Sequence, residues 1–319
     1  MVCRVCGNSE NNTEYSAKEM MFGFRDEFKY FQCNDCDCLQ IAIVPEDMSR
    51  YYPEQYYSFG SYSGKKFKGL KGTIRCLKYA SLIDHASPFH KIVRYITGKP
   101  DYDLFKELKV QKNTRILDVG CGNGQNFLYP LAEVGYQNIL GCDPYLEHDI
   151  SYPNGLNIKS SSIHDMSDVW DVITFHHSFE HIPDPVENLK SAFNLLAPNG
   201  VCIIRIPTVS SFAWGHYKTN WVQLDAPRHF FLHSKKSMQK LAEIVGLDFF
   251  KMKCDSTHFQ FTGSEGYIDD IPLFEQKQKG FLKTIQEGIK KVRRKRHAKR
   301  LNKQERGDQA AFYFRRQIK

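Results

Sequence analysis

From about residue 101 the chain alternates short apolar runs with stretches of helical periodicity. "TRILDV" reads as a buried strand and "NFLYPLAEVG" as a helix ending at Gly135. "NILGCD", "LNIKSSSIH" and "DVITFHHS" read as the second, third and fourth strands. The helix "DPVENLKSAFNLLAPNG" then stops at Asn199-Gly200, "VCIIRIP" is a fifth strand, and "SKKSMQKLAEIVGL" is a helix with a Ser N-cap and a Gly stop. "DFFKMKC" and the terminal "QAAFYFRRQ" supply two more strands. Strands alternating with helices imply right-handed crossovers and a doubly wound α/β sheet, parallel, with helices on both faces.

Upstream the pattern differs. Residues 1–45 read as a small cysteine-knuckle unit with short strands such as "FKYFQC". Residues 46–100 are a Tyr-rich connector, "YYPEQYYSF", followed by helix over 66–98, with Phe67, Leu70, Ile74 and Leu77 at helical spacing. Residues 101–266 hold most of the α/β sheet, and 308–319 its last strand. Between them, 267–307 read as an amphipathic basic helical insertion in which Phe281, Leu282, Ile285, Ile289 and Val292 recur at helical spacing.

Composition is that of an ordinary globular protein: 41% apolar and 25% charged residues over 319 positions. No apolar run approaches the roughly 18 to 20 residues of a membrane span, and "MVCRVCGNSE" has no signal-peptide core. A cytoplasmic protein is expected. The net charge of +8 is local, because residues 290–306 alone carry ten Lys/Arg and one Glu. A second basic stretch, 64–78, has six Lys/Arg and no acid. Clustered cations beside apolar positions suit a solvated helix face or an anionic membrane surface, to which the protein would be peripheral. The interleaved aromatics expected of a nucleic-acid surface are absent from these runs.

The candidate chemistry starts at "ILDVGCGNGQNF". Gly120, Gly122 and Gly124 lie where the first strand gives way to a helix, the position at which open α/β sheets bind ligands. The dinucleotide spacing G-x-G-x-x-G fails because Gln125 stands where its last glycine belongs, and no Gly-Lys-Ser/Thr ends the turn. No Lys or Arg lies between Ile116 and Gly141 to meet a phosphate. Asp118 would repel phosphate but suits an ammonium group, and Asp143, ending the second strand, is placed for ribose hydroxyls. A ribose carrying a cationic amino-acid tail and no phosphate describes S-adenosylmethionine.

With "GCDPY", "DVITFHHSFEHIPDP" and "LAPNG" added, the sequence resembles the class I S-adenosylmethionine-dependent methyltransferases over about residues 100–265 plus the last strand. The resemblance implies a Rossmann-like, seven-stranded sheet whose last strand is antiparallel to its neighbours. It implies that Asp118, Gly120, Cys121, Gly122 and Gly124 face the methionine moiety and Asp143 the ribose. Pro144 and Ile163 would flank the adenine, and backbone at Phe175 and His176 would line the cofactor.

Two C-x-x-C pairs, Cys3/Cys6 and Cys33/Cys36, are 26 residues apart and offer four thiolates for a structural zinc ion, with Cys38 a substitute ligand or a spectator. That order resembles a methyltransferase subgroup with an N-terminal zinc ribbon, linked to sugar and polysaccharide biosynthesis. The resemblance implies a sugar-nucleotide or glycan acceptor and a lid formed by the connector tyrosines.

Methyl transfer needs a base only when the acceptor must lose a proton. His177, His181 and His229 are the candidate bases by their titration range, although His181 also reads as a structural or capping residue and His229 as a loop pin. Trp214 and Trp221 read as platforms for a sugar ring, with Tyr217, Asp225, Arg228 and His229 as polar partners, Arg228 and His229 reading equally as pins of the loop. An RNA methyltransferase gripping through the ribbon and basic helix, and a non-catalytic scaffold that binds the cofactor, remain as alternatives. The methylated atom and the oligomeric state are open.

Overall fold

A computed structural model describes residues 1–53, 62–83, 105, 108, 110–278 and 285–317. The chain forms two compact units. One comprises Met1–Pro53, His177–Lys190 and Ile204–Lys319; the other comprises Glu54–His176 and Ser191–Ile203.

In the first unit, β1 (Thr13–Lys18), β2 (Glu27–Gln32) and β3 (Leu39–Ile41) form an antiparallel meander, as the alternating "FKYFQC" predicts. A two-residue strand from far along the chain, β10 (Phe231–Leu232), pairs antiparallel with β3 and completes a four-stranded sheet. Arg228, three residues before β10, is fully buried. Its guanidinium donates to Glu19 Oε1 at 2.9 Å, to Asp225 Oδ1 at 2.6 Å and to the Tyr51 carbonyl at 3.2 Å. Glu19, also fully buried, accepts from the backbone amides of Met21, Phe22, Gly23 and Phe24 as well. Burial alone would lower the Arg228 pKa, but the carboxylates of Asp225 and then Glu19 more than offset it, and the guanidinium stays charged.

The second unit carries the strands predicted from the apolar runs: β4 (Ile116–Val119), β5 (Ile139–Cys142), β7 (Asn157–Lys159) and β8 (Trp170–His176). β4 pairs parallel with β5 and β8, and β5 with β7. All four residues of β4 are buried, as a strand covered on both faces requires. Among the described residues of this unit the strands run in the order β8-β4-β5-β7-β6. The added strand is β6 (Ile150–Ser151), a two-residue antiparallel edge too short to show in a periodicity. β9 (Leu196–Pro207) begins earlier than "VCIIRIP", so the helix before it, Pro185–Leu195, ends short of Asn199-Gly200. Gly200 sits inside the strand, where an added Cβ would lie 3.0 Å from the Trp170 carbonyl. β11 (Leu247–Cys254) and β12 (Gln309–Arg316), both in the first unit, pair antiparallel.

Numbered along the chain, the helices are α1 (Gly69–Ile83), α2 (Leu128–Glu133), α3 (Pro185–Leu195), α4 (Phe212–Tyr217), α5 (Lys235–Val245), α6 (Phe259–Ile268), α7 (Leu273–Gln278) and α8 (Ile285–Lys303). The ends of α5 were legible: Ser234 caps Ser237 N, and Gly246 closes the helix in the left-handed region at φ +84°. The stripe predicted on α1 is real but faces solvent, with Leu70 86%, Ile74 57% and Leu77 40% exposed. Phe67, in the short turn before α1, instead packs its ring 5.5 Å from Tyr129 of α2. The rest of the predicted helix to residue 98, and most of "YYPEQYYSF" with its proposed lid, lie outside the described residues.

Among the described residues the insertion holds two helices, α7 and α8, rather than one. Within α8, Ile289 and Val292 are exposed while Ala298 and Leu301 are buried and His297 stacks on Phe261 of α6. The buried stripe is thus displaced toward the helix C-terminus. Phe281 and Leu282 are outside the described residues.

Removing one partner from a buried ion pair strands the others without compensation, at a cost of about 3 to 5 kcal/mol. Arg228→Ala is therefore expected to lower the melting temperature by roughly 10 °C, with Arg228→Lys only partly restoring it; a melt within 2 °C of the parent would contradict this account.

Candidate functional site

The glycine turn lies wholly within the second unit. Gly120, Gly122 and Gly124 have φ of +69°, +55° and +67°, the left-handed region that glycine enters without strain. Gly124 is also crowded: an added Cβ would lie 2.8 Å from Ile158 Cδ1. The turn is fastened to the end of β5, where Gly120 N donates to the Cys142 carbonyl at 2.8 Å and Gly122 N to Asp143 Oδ2 at 2.8 Å. Asp143 Oδ1 accepts the Tyr145 amide at 2.9 Å. Cys121 is half-buried in the turn, and its Sγ lies where a side chain at Gly141 would fall.

Asp118 is buried at 2% exposure, and Thr174 Oγ1 of β8 donates to its Oδ1 at 2.7 Å. Burial pushes the carboxyl up to about 8, and the charge of Asp143 adds to this against the Thr174 hydrogen bond. A cation arriving there would be matched by a carboxylate that lacks a counter-charge among its described neighbours.

Ile163 is buried in a short turn closed by a Ser162/Asp165 capping box, whereas Pro144 is exposed. Phe175 is fully buried at the end of β8, and His176 stacks on Phe127 with centroids 5.0 Å apart. Thr174 went unremarked in the sequence, although a polar residue inside "DVITF" was available as a signal.

The three candidate bases are in the first unit and converge on one carboxylate. Glu180 is fully buried in the turn Phe179–His181, which backbone bonds hold to the Phe230 amide. His177 Nδ1 lies 3.5 Å and His229 Nε2 4.0 Å from Glu180 Oε1. Burial would raise the Glu180 pKa, but His177, then the charges of His181 and His229, hold it down to about 2. His181 Nδ1 lies 2.8 Å from the Arg228 carbonyl, and burial followed by repulsion from His229 lowers its pKa.

His177 sits at φ +56°, a strained position for a non-glycine residue. Its Nε2 is 2.6 Å from Arg205 Nη1, and Arg205 is in turn paired with Asp255 at 2.5 Å. A guanidinium only donates, so His177 Nε2 accepts and its proton stays on Nδ1, toward Glu180. This arrangement suits positioning of Glu180 better than proton abstraction. Arg205 was missed in the sequence; a lone charge inside "VCIIRIP" was its signal.

The aromatic loop reads differently in place. Trp214 is buried edge-to-face on Tyr15 at 5.0 Å, with Nε1 donating to Gln32. Trp221 is fully buried with Nε1 donating to Asp308 at 3.1 Å. Both are core residues rather than platforms for a sugar ring, because they are buried and their indole N–H groups have protein partners. Arg228 is likewise a structural ion pair.

Cys3, Cys6, Cys33 and Cys36 come together, their sulfurs within 4.8 Å of one another. Cys3 and Cys36 sulfurs are 3.6 Å apart and those of Cys6 and Cys33 3.5 Å, far beyond a disulfide and near the roughly 3.8 Å edge of a zinc tetrathiolate. Gly7 and Asp37, each following a C-x-x-C pair, share the left-handed φ that folds a metal knuckle. Gln40 Nε2 and Asn8 Nδ2 point at Cys3 and Cys33 sulfurs, as donors to thiolates do. The hydrogen bond from Cys36 lowers the Cys3 pKa to about 4. Cys38 stands apart, beside His233.

A family model described as a methyltransferase domain matches residues 90–250, half of the chain. Ubiquinone biosynthesis O-methyltransferases are among the relatives. That of Psychrobacter cryohalolentis is 29% identical over 112 residues, covering 28% of this chain and 39% of its own length. That of Azorhizobium caulinodans is 28% identical over 135 residues, covering 39% and 53%. The chain thus spans about two fifths to half the length of these curated relatives. Among solved structures, an S-adenosylmethionine-dependent methyltransferase from Mesorhizobium loti aligns with TM-score 0.44 and 14% identity, over 69% of this chain and all of its own. The cyclopropane synthase MmaA2 from Mycobacterium tuberculosis aligns with TM-score 0.41 and 13% identity, over 75% of this chain and 93% of its own. The match over half of the chain identifies it as a member of the methyltransferase-domain family.

Proposed function

We propose that the chain moves a methyl group from S-adenosylmethionine to a hydroxyl or carbon of a sugar nucleotide or glycan intermediate. The observation that carries the donor half is the buried Asp118 beside three left-handed glycines: a carboxylate without a cation, in a turn without a phosphate-binding side chain. The turn backbone and Asp118 would take the amino-acid tail, and Asp143 the ribose diol. The sulfonium is already an activated electrophile, so the protein's task is alignment of the acceptor. The acceptor class is supported by the four-thiol ribbon and its resemblance to the sugar-modifying subgroup. We assign zinc to the ribbon, structural because four thiolates leave no open position.

A second acceptor, a phenol held at a membrane, is favoured by the relatives' names and by α1. Leu70, Ile74 and Leu77 are exposed there between Lys68 and Lys78, in a stretch without acids. That face has the composition of an interfacial helix on anionic lipid. No described helix is long and apolar enough to cross a membrane. Methyl transfer from labelled donor, run in parallel on nucleotide sugars and on polyprenyl phenols in phosphatidylglycerol vesicles, separates the two readings. Turnover of sugars alone supports the first, and turnover of the phenol alone replaces it with the second. In the same vesicles, Leu70→Ser/Ile74→Ser should weaken co-sedimentation at least tenfold, given about 1.5 to 3 kcal/mol per buried side chain; unchanged sedimentation removes α1 from the account.

Donor binding should be linked to pH. With its pKa raised to about 8, Asp118 is protonated at neutral pH in the ligand-free chain. Its contribution to stability is present below the unfolded value of about 4 and is lost as pH rises toward 8. The ionised form is the one that meets the ligand's ammonium. Affinity for S-adenosylhomocysteine should therefore rise from pH 6 to 8, by up to about tenfold per unit, and level off above. Asp118→Asn should bind far more weakly yet melt higher than the parent at pH 8.5. Calorimetric titration showing a flat pH profile would refute the charge reading of this turn.

One zinc ion per chain is expected, and Cys33→Ser should reduce it while lowering the melting temperature. A metal-free protein of unchanged stability would count against the ribbon.

A further inference from the structure

The cluster around Glu180 is assembled like a cation site. Neither carboxylate oxygen of Glu180 has a close hydrogen bond among the described residues, His177 Nδ1 standing off at 3.5 Å, although the side chain is fully buried. A buried carboxylate without hydrogen bonds is expensive unless a cation meets it. Glu180, His181 and His229 each bring one ligand atom, all within 4.8 Å of one another.

The tautomers are fixed from behind. The Arg228 carbonyl, 2.8 Å from His181 Nδ1, can only accept, so that nitrogen carries the proton and Nε2 keeps its lone pair. The Gln223 carbonyl, 2.9 Å from His229 Nδ1, does the same for His229. Backbone carbonyls behind Nδ1 and a free Nε2 in front are the usual support of metal-bound imidazoles. His229 Nε2 is 4.0 Å from Glu180 Oε1 and 3.8 Å from Asp225 Oδ2. An ion with ligand distances of about 2.1 Å bridges pairs up to about 4.2 Å apart.

From this juxtaposition we propose that Glu180, His181 and His229 bind a divalent first-row transition-metal ion, with His177 orienting the carboxylate from the side through its Arg205-fixed tautomer. Two imidazoles and one carboxylate leave coordination positions open, which distinguishes this site from the closed ribbon. The open positions take oxygen ligands, so the chemical class admitted is a hydroxyl or vicinal hydroxyl pair. The site's cation affinity is independent of which acceptor the enzyme uses.

Manganese is the probe, because it avoids thiolates and is read directly by electron paramagnetic resonance. Zinc-loaded full-length protein is titrated with Mn²⁺ and free ion is counted. The expected result is one Mn²⁺ per chain, bound at least tenfold more weakly by Glu180→Gln and by His229→Gln. Melting temperature and S-adenosylhomocysteine binding serve as folding controls for both variants. Less than a tenth of an equivalent bound by protein that binds S-adenosylhomocysteine would overturn the site and leave the methyltransferase assignment standing. Binding that both variants retain in full would also overturn it. Loss of S-adenosylhomocysteine binding by the parent protein would instead strike the donor assignment.

Discussion

The first unit is organised around one charge that cannot be hydrated. Arg228 has no exposed surface, so its guanidinium must be satisfied by protein, and Glu19, Asp225 and the Tyr51 carbonyl do so. Each of those partners belongs to a different stretch of sequence. The same residue's carbonyl fixes His181, and two residues further on Phe230 N holds the backbone at Glu180. A charge that looks in sequence like a ligand-binding arginine is thus the support on which the histidine cluster rests.

The donor turn was legible because its chemistry is local. Three glycines need left-handed φ, an acid and the missing lysine exclude phosphate, and all of this lies within ten residues. The ends of α5 were legible for the same reason, since caps are decided by neighbours in sequence. Non-local choices were not. Trp214 and Trp221 look identical in sequence whether they meet a sugar or a core, and the partners that decide, Tyr15, Gln32 and Asp308, are distant. The α1 stripe has helical spacing either way; periodicity identifies a face without saying whether protein or solvent covers it. Short β6 has no pattern at all.

The two carboxylates with perturbed protonation make a contrast. Both are buried, yet Asp118 is pushed up and Glu180 down. The difference lies in what surrounds each: a hydroxyl and another acid for Asp118, three imidazoles for Glu180. Burial raises a carboxyl in both cases, and the neighbours decide the outcome. The surroundings thus favour the neutral form of Asp118 and the charged form of Glu180.

The pairing of β10 with β3 joins residues almost two hundred positions apart. During synthesis the cysteine knuckles leave the ribosome long before Phe231 exists, so the ribbon first forms as a three-stranded edge. Through that interval its outer strand is an open template for other chains. The four thiols are available early, but the sheet is sealed only when Phe231 and Leu232 arrive. The ribbon is consequently not a transferable module: grafted as residues 1–45 it would carry its cysteines and lack a wall.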